Sequence, residues 1–188
     1  TVPNNQVAVS RYNDHEITRP IQSLVSSFIW ASPLTIMETL PEGIGVAPLI
    51  TITPEMGNYW AENNIYMLLQ RRHAQKDDDD TPAPFQIAVA VEDSKTKNKC
   101  VIFGNELFAT DGMANKVDYF MTPQGIGAQY AFPGNLELLT NVAFWLNDNS
   151  NLISVGPRKA DVVRIKDISD RGLMTWKVFL WGVWPMGA

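Results

Sequence analysis

One helical segment with strand-like sequence on both sides most constrains the fold of this 188-residue chain. After a Pro-Gly break, apolar residues recur at helical spacing, which places them on one face of a helix. Asn135 is predicted to cap that helix through its side-chain oxygen, and residues 147–150 are predicted to end it. The apolar face consists of Leu138, Leu139, Val142, Ala143 and Leu146, widened by Phe144 and Trp145.

The sequence around this helix predicts an α/β fold, with a mixed sheet flanked by helices. Residues 85–92 and 100–103 predict two strands, and the short connection between them requires an antiparallel pair. Residues 152–153 predict a strand directly after the helix. The glycine-rich residues 110–132 predict a long flexible loop, with one short helix around residues 117–121.

Strand patterns also occur earlier in the chain. Residues 23–30 and 45–53 are rich in β-branched and aromatic residues, as is typical of strands. Pro48 cannot donate a hydrogen bond to a neighbouring strand, so it predicts an edge position or a bulge. Residues 65–72 predict a short helix, residues 161–167 a strand, and a last helix is predicted to begin near Ser169.

Length and composition indicate one ordinary globular domain, with 45% hydrophobic and 19% charged residues. The net charge of −5 argues against nucleic acid as a partner, because phosphate binding needs a basic face. A single cysteine excludes an intrachain disulfide, and two distant histidines form no zinc-type cluster. The sequence therefore predicts no metal site and no cofactor.

Three local features have a functional interpretation and a plainer one. Residues 77–80 are four aspartates, which could hold a hard cation, but they lack the ligand spacing of a calcium loop, so a solvated loop is favoured. His15 lies between two carboxylates and could act in acid–base chemistry; an exposed or capping histidine is favoured. Cys100 begins a strand, where a buried structural thiol is favoured over a nucleophile.

The C-terminal residues 173–188 are nearly all apolar, with Lys177 as their only charge and three tryptophans, Trp176, Trp181 and Trp184. Tryptophans near one end of an apolar run are typical of a membrane interface. We expect residues 1–170 to form the domain and residues 171–188 to lead into a membrane helix; the alternative is a buried terminal helix with an aromatic face. Because the chain begins at Thr1, we also expect it to be a fragment of a longer protein.

The ordered motifs of this chain resemble the auxiliary, substrate-binding-like component of gliding-motility-type ABC transporters, the family called "ABC-type uncharacterized transport system". That family has a G-[DN]-S-x-F motif after a strand, then N-x-x-x-W-L at the end of a helix, then L-I-x-I-x-P-[RK]. The matching residues here include Gly104, Asn105, Phe108, Asn141, Trp145 and Pro157. Upstream, residues 15–18, 46–51 and 85–90 resemble further family segments.

The resemblance implies an extracytoplasmic, periplasmic α/β domain, similar to part of a class I glutamine-amidotransferase-like or flavodoxin-like fold. The domain would be anchored to the inner membrane by a C-terminal helix and would act beside an ABC permease and an ATPase. It implies a non-catalytic accessory role, in which the domain binds a partner subunit or a substrate.

Two other functions stay open from the sequence. One is a hydrolase on an amidotransferase-like scaffold, although no nucleophile motif of the G-x-S-x-G type occurs. The other is a nucleotide-binding module of flavodoxin-like fold, with its ligand at the carboxyl end of a strand. Any ligand site is expected at Asn105, Glu106 and Asp111, although a turn-holding role for Asn105 is favoured. Asn141 is expected to hydrogen-bond a loop backbone, and Trp145 to pack the helix on the sheet.

Overall fold

The computed structural model describes residues 5–64, 66, 76–123, 125–153 and 174. The chain divides into two compact units, Thr1–Pro157 and Arg158–Ala188. All described residues except Met174 belong to the first unit. The strand predicted at 161–167, the last helix, Pro157 and nearly all of the apolar segment lie outside the described residues, as does most of the helix predicted at 65–72.

The described residues combine α and β structure, with several small antiparallel sheets and two α-helices. The expected α/β character is therefore present, although the helical content is low. Every strand pair among the described residues is antiparallel, so they do not show the mixed sheet expected from the sequence. The strands are β1 (Gln6–Val9), β2 (Ser26–Ile29), β3 (Ile44–Ile52), β4 (Trp60–Ala61), β5 (Thr81–Pro82), β6 (Phe85–Asp93), β7 (Lys99–Phe103), β8 (Val117–Thr122) and β9 (Gly125–Tyr130). The helices are α1 (Asp111–Ala114) and α2 (Pro133–Leu146), with short 3-10 helices at Arg19–Ile21, Pro54–Met56 and Ser150–Leu152.

The largest sheet has the order β3-β6-β7, and both of its strand pairs are antiparallel. The predicted antiparallel pairing of residues 85–92 with 100–103 is thus confirmed. Strand β3 lies at the edge of this sheet, and its register shifts between Pro48 and Ile50. The missing N–H of proline explains this position, as predicted from the sequence. The central strand β6 buries both of its faces, which explains its unbroken apolar run.

Helix α2 packs against β2, β7 and the 3-10 helix at Arg19–Ile21. Its apolar face joins the core of the first unit through Leu138, Val142 and Trp145. Burial of this face, rather than helix propensity alone, stabilises a helix of this length. The helix begins at Pro133, two residues before the expected cap, and it ends at Leu146 as predicted.

Three sequence predictions for this unit are wrong. Val117–Thr122 and Gly125–Tyr130 pair as the strands of the hairpin β8–β9 instead of forming a flexible loop with a helix. Residues 150–152 form a 3-10 helix instead of the beginning of a strand. Cys100 is exposed instead of buried, because Val101 and Phe103 take the core-facing positions of β7 and side chains alternate between the two faces of a strand.

The prediction of a fully solvated aspartate loop is also wrong in part. Asp77, Asp78 and Asp79 are exposed, but Asp80 is only 6% exposed. Its carboxylate accepts hydrogen bonds from the backbone N–H groups of Asn63 and Asp77. Asp80 therefore holds the turn that leads into β5, and this role needs no cation.

Candidate functional site

The three residues expected to form a ligand site, Asn105, Glu106 and Asp111, lie in the segment that follows β7. The Asn105 amide donates a hydrogen bond to the Ile29 carbonyl, and its oxygen accepts one from the Phe108 N–H at 2.8 Å. Glu106 and Asp111 are exposed, and no hydrogen bond among the described residues joins either carboxylate to Asn105. Asn105 therefore holds a turn and links it to β2, which is the plainer of the two roles considered for it.

The free edge of β2 is closed by side chains instead of by another strand. The Asn135 side chain accepts from the Ser27 N–H at 2.8 Å and donates to the Ser27 carbonyl at 3.1 Å. An adjacent antiparallel strand would offer the same donor and acceptor pair. On the same edge, the Asn105 side chain donates a hydrogen bond to the Ile29 carbonyl. We call this set of contacts the asparagine-closed edge.

Two glycines allow the chain to approach this region closely. The Gly134 N–H donates to the Val25 carbonyl at 3.0 Å, and a Cβ atom on Gly134 would lie 2.8 Å from that same oxygen. A Cβ atom on Gly104 would overlap the carbonyl oxygen of Ser32, whose N–H donates to the Gly104 carbonyl. Any larger residue at either position would force the backbones apart.

Asn135 also connects α2 to the turn after β7. Its amide donates a second hydrogen bond, at 3.0 Å, to the Phe108 carbonyl. Asn135 is fully buried and all its hydrogen-bonding contacts run to the main chain. The sequence interpretation of Asn135 as a helix cap missed this role, because a cap and a tertiary contact need the same side-chain groups.

Asn141 and Trp145 connect the rest of α2 to the segment near His15. The Asn141 amide donates to the Ile17 carbonyl at 2.9 Å, which is the loop-backbone hydrogen bond expected from the sequence. Trp145 is 2% exposed and meets the His15 ring edge-on, with the ring centroids 5.4 Å apart. The Lys99 ammonium lies 4.8 Å from the Trp145 ring centroid, within cation–π range.

The surroundings of His15 favour its neutral form. Burial lowers the pKa of the imidazole, although the nearby carboxylates of Glu16 and Glu92 act in the opposite direction. Its Nδ1 atom accepts a hydrogen bond from the Ile17 N–H at 3.2 Å, which requires an unprotonated Nδ1. His15 therefore packs against Trp145 and caps the Ile17 N–H, so it is half-buried instead of exposed, and the capping role favoured from the sequence is present.

An open cleft of about 660 Å³ lies beside Lys99, at one end of the three-stranded sheet. Lys99 borders it and donates to the Asp148 carboxylate at 2.7 Å, a contact that raises the pKa of Lys99. The cleft mixes lysines with carboxylates, so it has no strong net preference for one sign of charge. Its lining residues are Gly43, Ile44, Gly45, Glu92, Asp93, Ser94, Lys97, Lys99 and Asp148.

Two kinds of arrangement could carry metal or cysteine chemistry in the described ranges. No group of three or more His, Cys, Asp or Glu residues there is arranged to hold a metal ion. Cys100 is exposed on β7, and no hydrogen bond among those residues joins its thiol to a histidine. A cysteine nucleophile needs such a base within hydrogen-bonding reach.

The β8–β9 hairpin is the most unusual surface in the described part of the chain. Cross-strand pairs of a hairpin project to the same side of the ribbon. One side of this hairpin is entirely apolar, and Tyr119, Met121 and Ile126 on it are 74%, 82% and 74% exposed. The full set is Val117, Tyr119, Met121, Ile126, Ala128 and Tyr130, which we call the apolar hairpin face.

Sequence reasoning missed this surface, although one signal was present. Val117, Tyr119 and Met121 alternate with other residues at the spacing of a strand. The glycines that follow them are also typical of a flexible loop, which is the structure predicted for residues 110–132. Gly125 has φ +127°, a conformation that favours glycine, and it follows the turn that joins the two strands. The Thr122 hydroxyl donates to its carbonyl at 2.8 Å and closes that turn.

Within the ranges that the structure covers, no helix is both long enough and apolar enough to cross a membrane. Comparisons of the chain with protein-family models, curated proteins and solved structures found no match.

Proposed function

We propose that this chain is a non-catalytic, extracytoplasmic accessory domain of a gliding-motility-type ABC transport system. In this proposal it is anchored to the inner membrane through its apolar C-terminal segment and lies beside an ABC permease and an ATPase. It binds a partner subunit or a substrate. The same proposal relates its fold to part of a class I glutamine-amidotransferase-like or flavodoxin-like fold.

One observation carries the proposal: four of the motif residues that the structure describes hold the fold together. The side-chain amides of Asn105 and Asn141 bond main-chain groups, and Trp145 is buried. Gly104 permits a close backbone approach. Motif residues that serve as scaffold, as these four do, support a shared architecture without a shared reaction. Binding surfaces must then lie elsewhere on the domain, as in the apolar hairpin face.

The alternative is a hydrolase or a nucleotide-binding module on the same type of scaffold. The observation in its favour is the exposed Cys100 thiol. Against it, Cys100 lies within strand β7, whereas nucleophiles of α/β hydrolases lie on a sharp turn between strand and helix. A thermal-shift screen with nucleotides and flavins tests the binding variant, and stabilisation by any of them would favour it.

Topology and association test the main proposal together. The full-length gene product is expressed in a bacterial host with the permease and ATPase, and protease is added outside spheroplasts. We expect cleavage within residues 1–170 while a cytosolic marker protein stays intact. Cross-linking followed by purification is expected to recover the permease and the ATPase.

Protection of the domain together with the cytosolic marker would refute the extracytoplasmic location. Cleavage without recovery of either transporter subunit would refute the accessory role. The variant Asn115→Ala is a suitable control for the cross-linking, because Asn115 is exposed and lies outside the motif. It should recover both subunits as efficiently as the unchanged chain.

A further inference from the structure

We propose that the tip of the β8–β9 hairpin inserts into the interfacial layer of a lipid bilayer. The proposal rests on the proposed function, because that function places the domain next to a membrane. It goes beyond it by assigning a second membrane contact to a β-hairpin within the domain itself.

The size of the apolar hairpin face is the first step in the argument. Its exposed fractions add up to about three fully exposed large side chains, or roughly 600 Å² at ~200 Å² each. Contiguous apolar patches above a few hundred Å² mark interaction sites in soluble proteins. A two-stranded hairpin is also only marginally stable by itself, so an environment that covers this face would stabilise it.

The second step is the charge distribution on the opposite side of the hairpin. That side carries Asp118, Phe120, Thr122, Gly125, Gly127 and Gln129. Its only charged residue is Asp118, in the second position of β8 and far from the turn. Phe120 is 44% exposed and its ring lies over Gly127, where an added Cβ atom would come within 2.7 Å. Both sides are therefore free of charge near the tip.

The absence of charge from both sides of the hairpin tip favours a bilayer over a protein partner. A partner protein that covered the apolar hairpin face would leave the other side in water, where charged residues cost nothing. A membrane surrounds the tip and excludes charge from both sides. In the sequence, no charged residue occurs from position 119 to position 136, and four of these residues are aromatic: Tyr119, Phe120, Tyr130 and Phe132. Aromatic residues with uncharged neighbours suit the membrane interface.

A second copy of the chain is a poorer occupant on grounds of area. A stable interface buries about 800 Å² on each partner. The apolar hairpin face offers roughly 600 Å² at most, and face-to-face pairing would leave Phe120 on the outside.

Hydrogen bonding limits the depth of insertion. The outer edges of a two-stranded ribbon carry unpaired peptide groups, which are too costly to bury in hydrocarbon. The tip should therefore stop at the boundary between headgroups and acyl chains, about 5–10 Å deep. Four residues of a strand span about 13 Å, so insertion to this depth covers the tip and leaves Lys116 and Asp118 in water.

The test uses the full chain with a fluorescent bimane label at the tip. Native Cys100 is replaced in a Cys100→Ser background, and single cysteines are introduced as Met121→Cys at the tip or Met37→Cys elsewhere. Met37 is a matched control because it is also an exposed methionine, at 69%, and lies outside the hairpin. Each protein is reconstituted in neutral phosphatidylcholine vesicles with or without lipids that carry a nitroxide quencher near the headgroup.

We expect the label at position 121 to lose about half or more of its emission to the lipid quencher, and the label at position 37 to keep it. Adding Ile126→Asp to the tip-labelled protein should abolish the quenching, because a carboxylate would then have to enter the interface. The readout is specific to the hairpin, so membrane binding by the C-terminal segment does not affect it.

Four results would overturn the proposal. One is an unquenched tip label, and another is equal quenching at positions 121 and 37, which would indicate non-specific adsorption. The third is protection of the tip label from aqueous iodide without vesicles, which would indicate a second copy or another protein. If Ile126→Asp abolished recovery of the permease in detergent, the hairpin would bind protein; the membrane contact would then be wrong and the accessory function supported.

Discussion

Replacing Asn135 with alanine tests the asparagine-closed edge directly. The change leaves three main-chain groups without their partner: the N–H and carbonyl of Ser27 and the carbonyl of Phe108. Ser27 is 0% exposed and Phe108 is 3% exposed, so water cannot easily replace the Asn135 amide as their hydrogen-bond partner. A buried group without a partner costs about 1–3 kcal/mol, and an N–H costs more than a carbonyl. Taking ~2 kcal/mol for the N–H and ~1 for each carbonyl predicts a loss of about 4 kcal/mol.

The assay is urea denaturation followed by circular dichroism, with linear extrapolation of the free energy of unfolding. Asn135→Asp keeps the acceptor oxygen but points a buried carboxylate at two carbonyl oxygens, so it should destabilise the chain at least as much. Asn115→Ala changes an exposed asparagine and should cost less than about 0.5 kcal/mol. A loss below ~1 kcal/mol for Asn135→Ala, at an unchanged m-value, would show that the edge is not held by this side chain.

Three further predictions concern the same core. Trp145→Ala should cost roughly 3–5 kcal/mol in the urea assay, because the ring is buried; a loss below ~1 kcal/mol would contradict its packing role. Gly104→Ala should destabilise the chain by more than about 2 kcal/mol, because the new Cβ atom would overlap a backbone oxygen. Gly112→Ala should be neutral or slightly stabilising, because no atom lies within 4 Å of its Cβ position. Equal effects of the two changes would refute the close backbone approach at Gly104. Burial lowers the pKa of His15 below its ordinary 6.5, so the unfolded chain binds a proton more readily than the folded chain. The free energy of unfolding should therefore hold above about pH 6.5 and fall below it. His15→Gln should flatten that fall in urea midpoints measured from pH 7.5 to 5.5, and an unchanged slope would argue against a role for His15.

The elements that were predicted correctly have patterns that are complete within a short window. Helix α2 has its apolar period, and β6 has a run of apolar residues too short and too β-branched for a helix. Pro48 marked an edge because its missing N–H is a local property. The end of α2 at Leu146 was likewise encoded by the polar residues that follow it.

The features that were missed depend on partners distant in sequence or on which side of a strand faces the core. Nothing near Asn135 indicates that its amide bonds Ser27 instead of capping the helix. The facing of Cys100 depends on which side of β7 meets the core. The hairpin was missed because its turn contains Pro123 and its second strand contains two glycines, a composition that is also typical of a loop.

The asparagine-closed edge also sets a time interval during synthesis. Ser27 and Asn135 are 108 residues apart in the chain. At ribosomal rates of ~5–20 residues per second, Ser27 is made roughly 5–20 s before the side chain that occupies its peptide groups. During that interval β2 presents an open strand edge to other nascent chains. A chaperone that shields β2 until α2 has been made would therefore raise the yield of folded protein, and truncation before residue 135 would leave the edge open permanently.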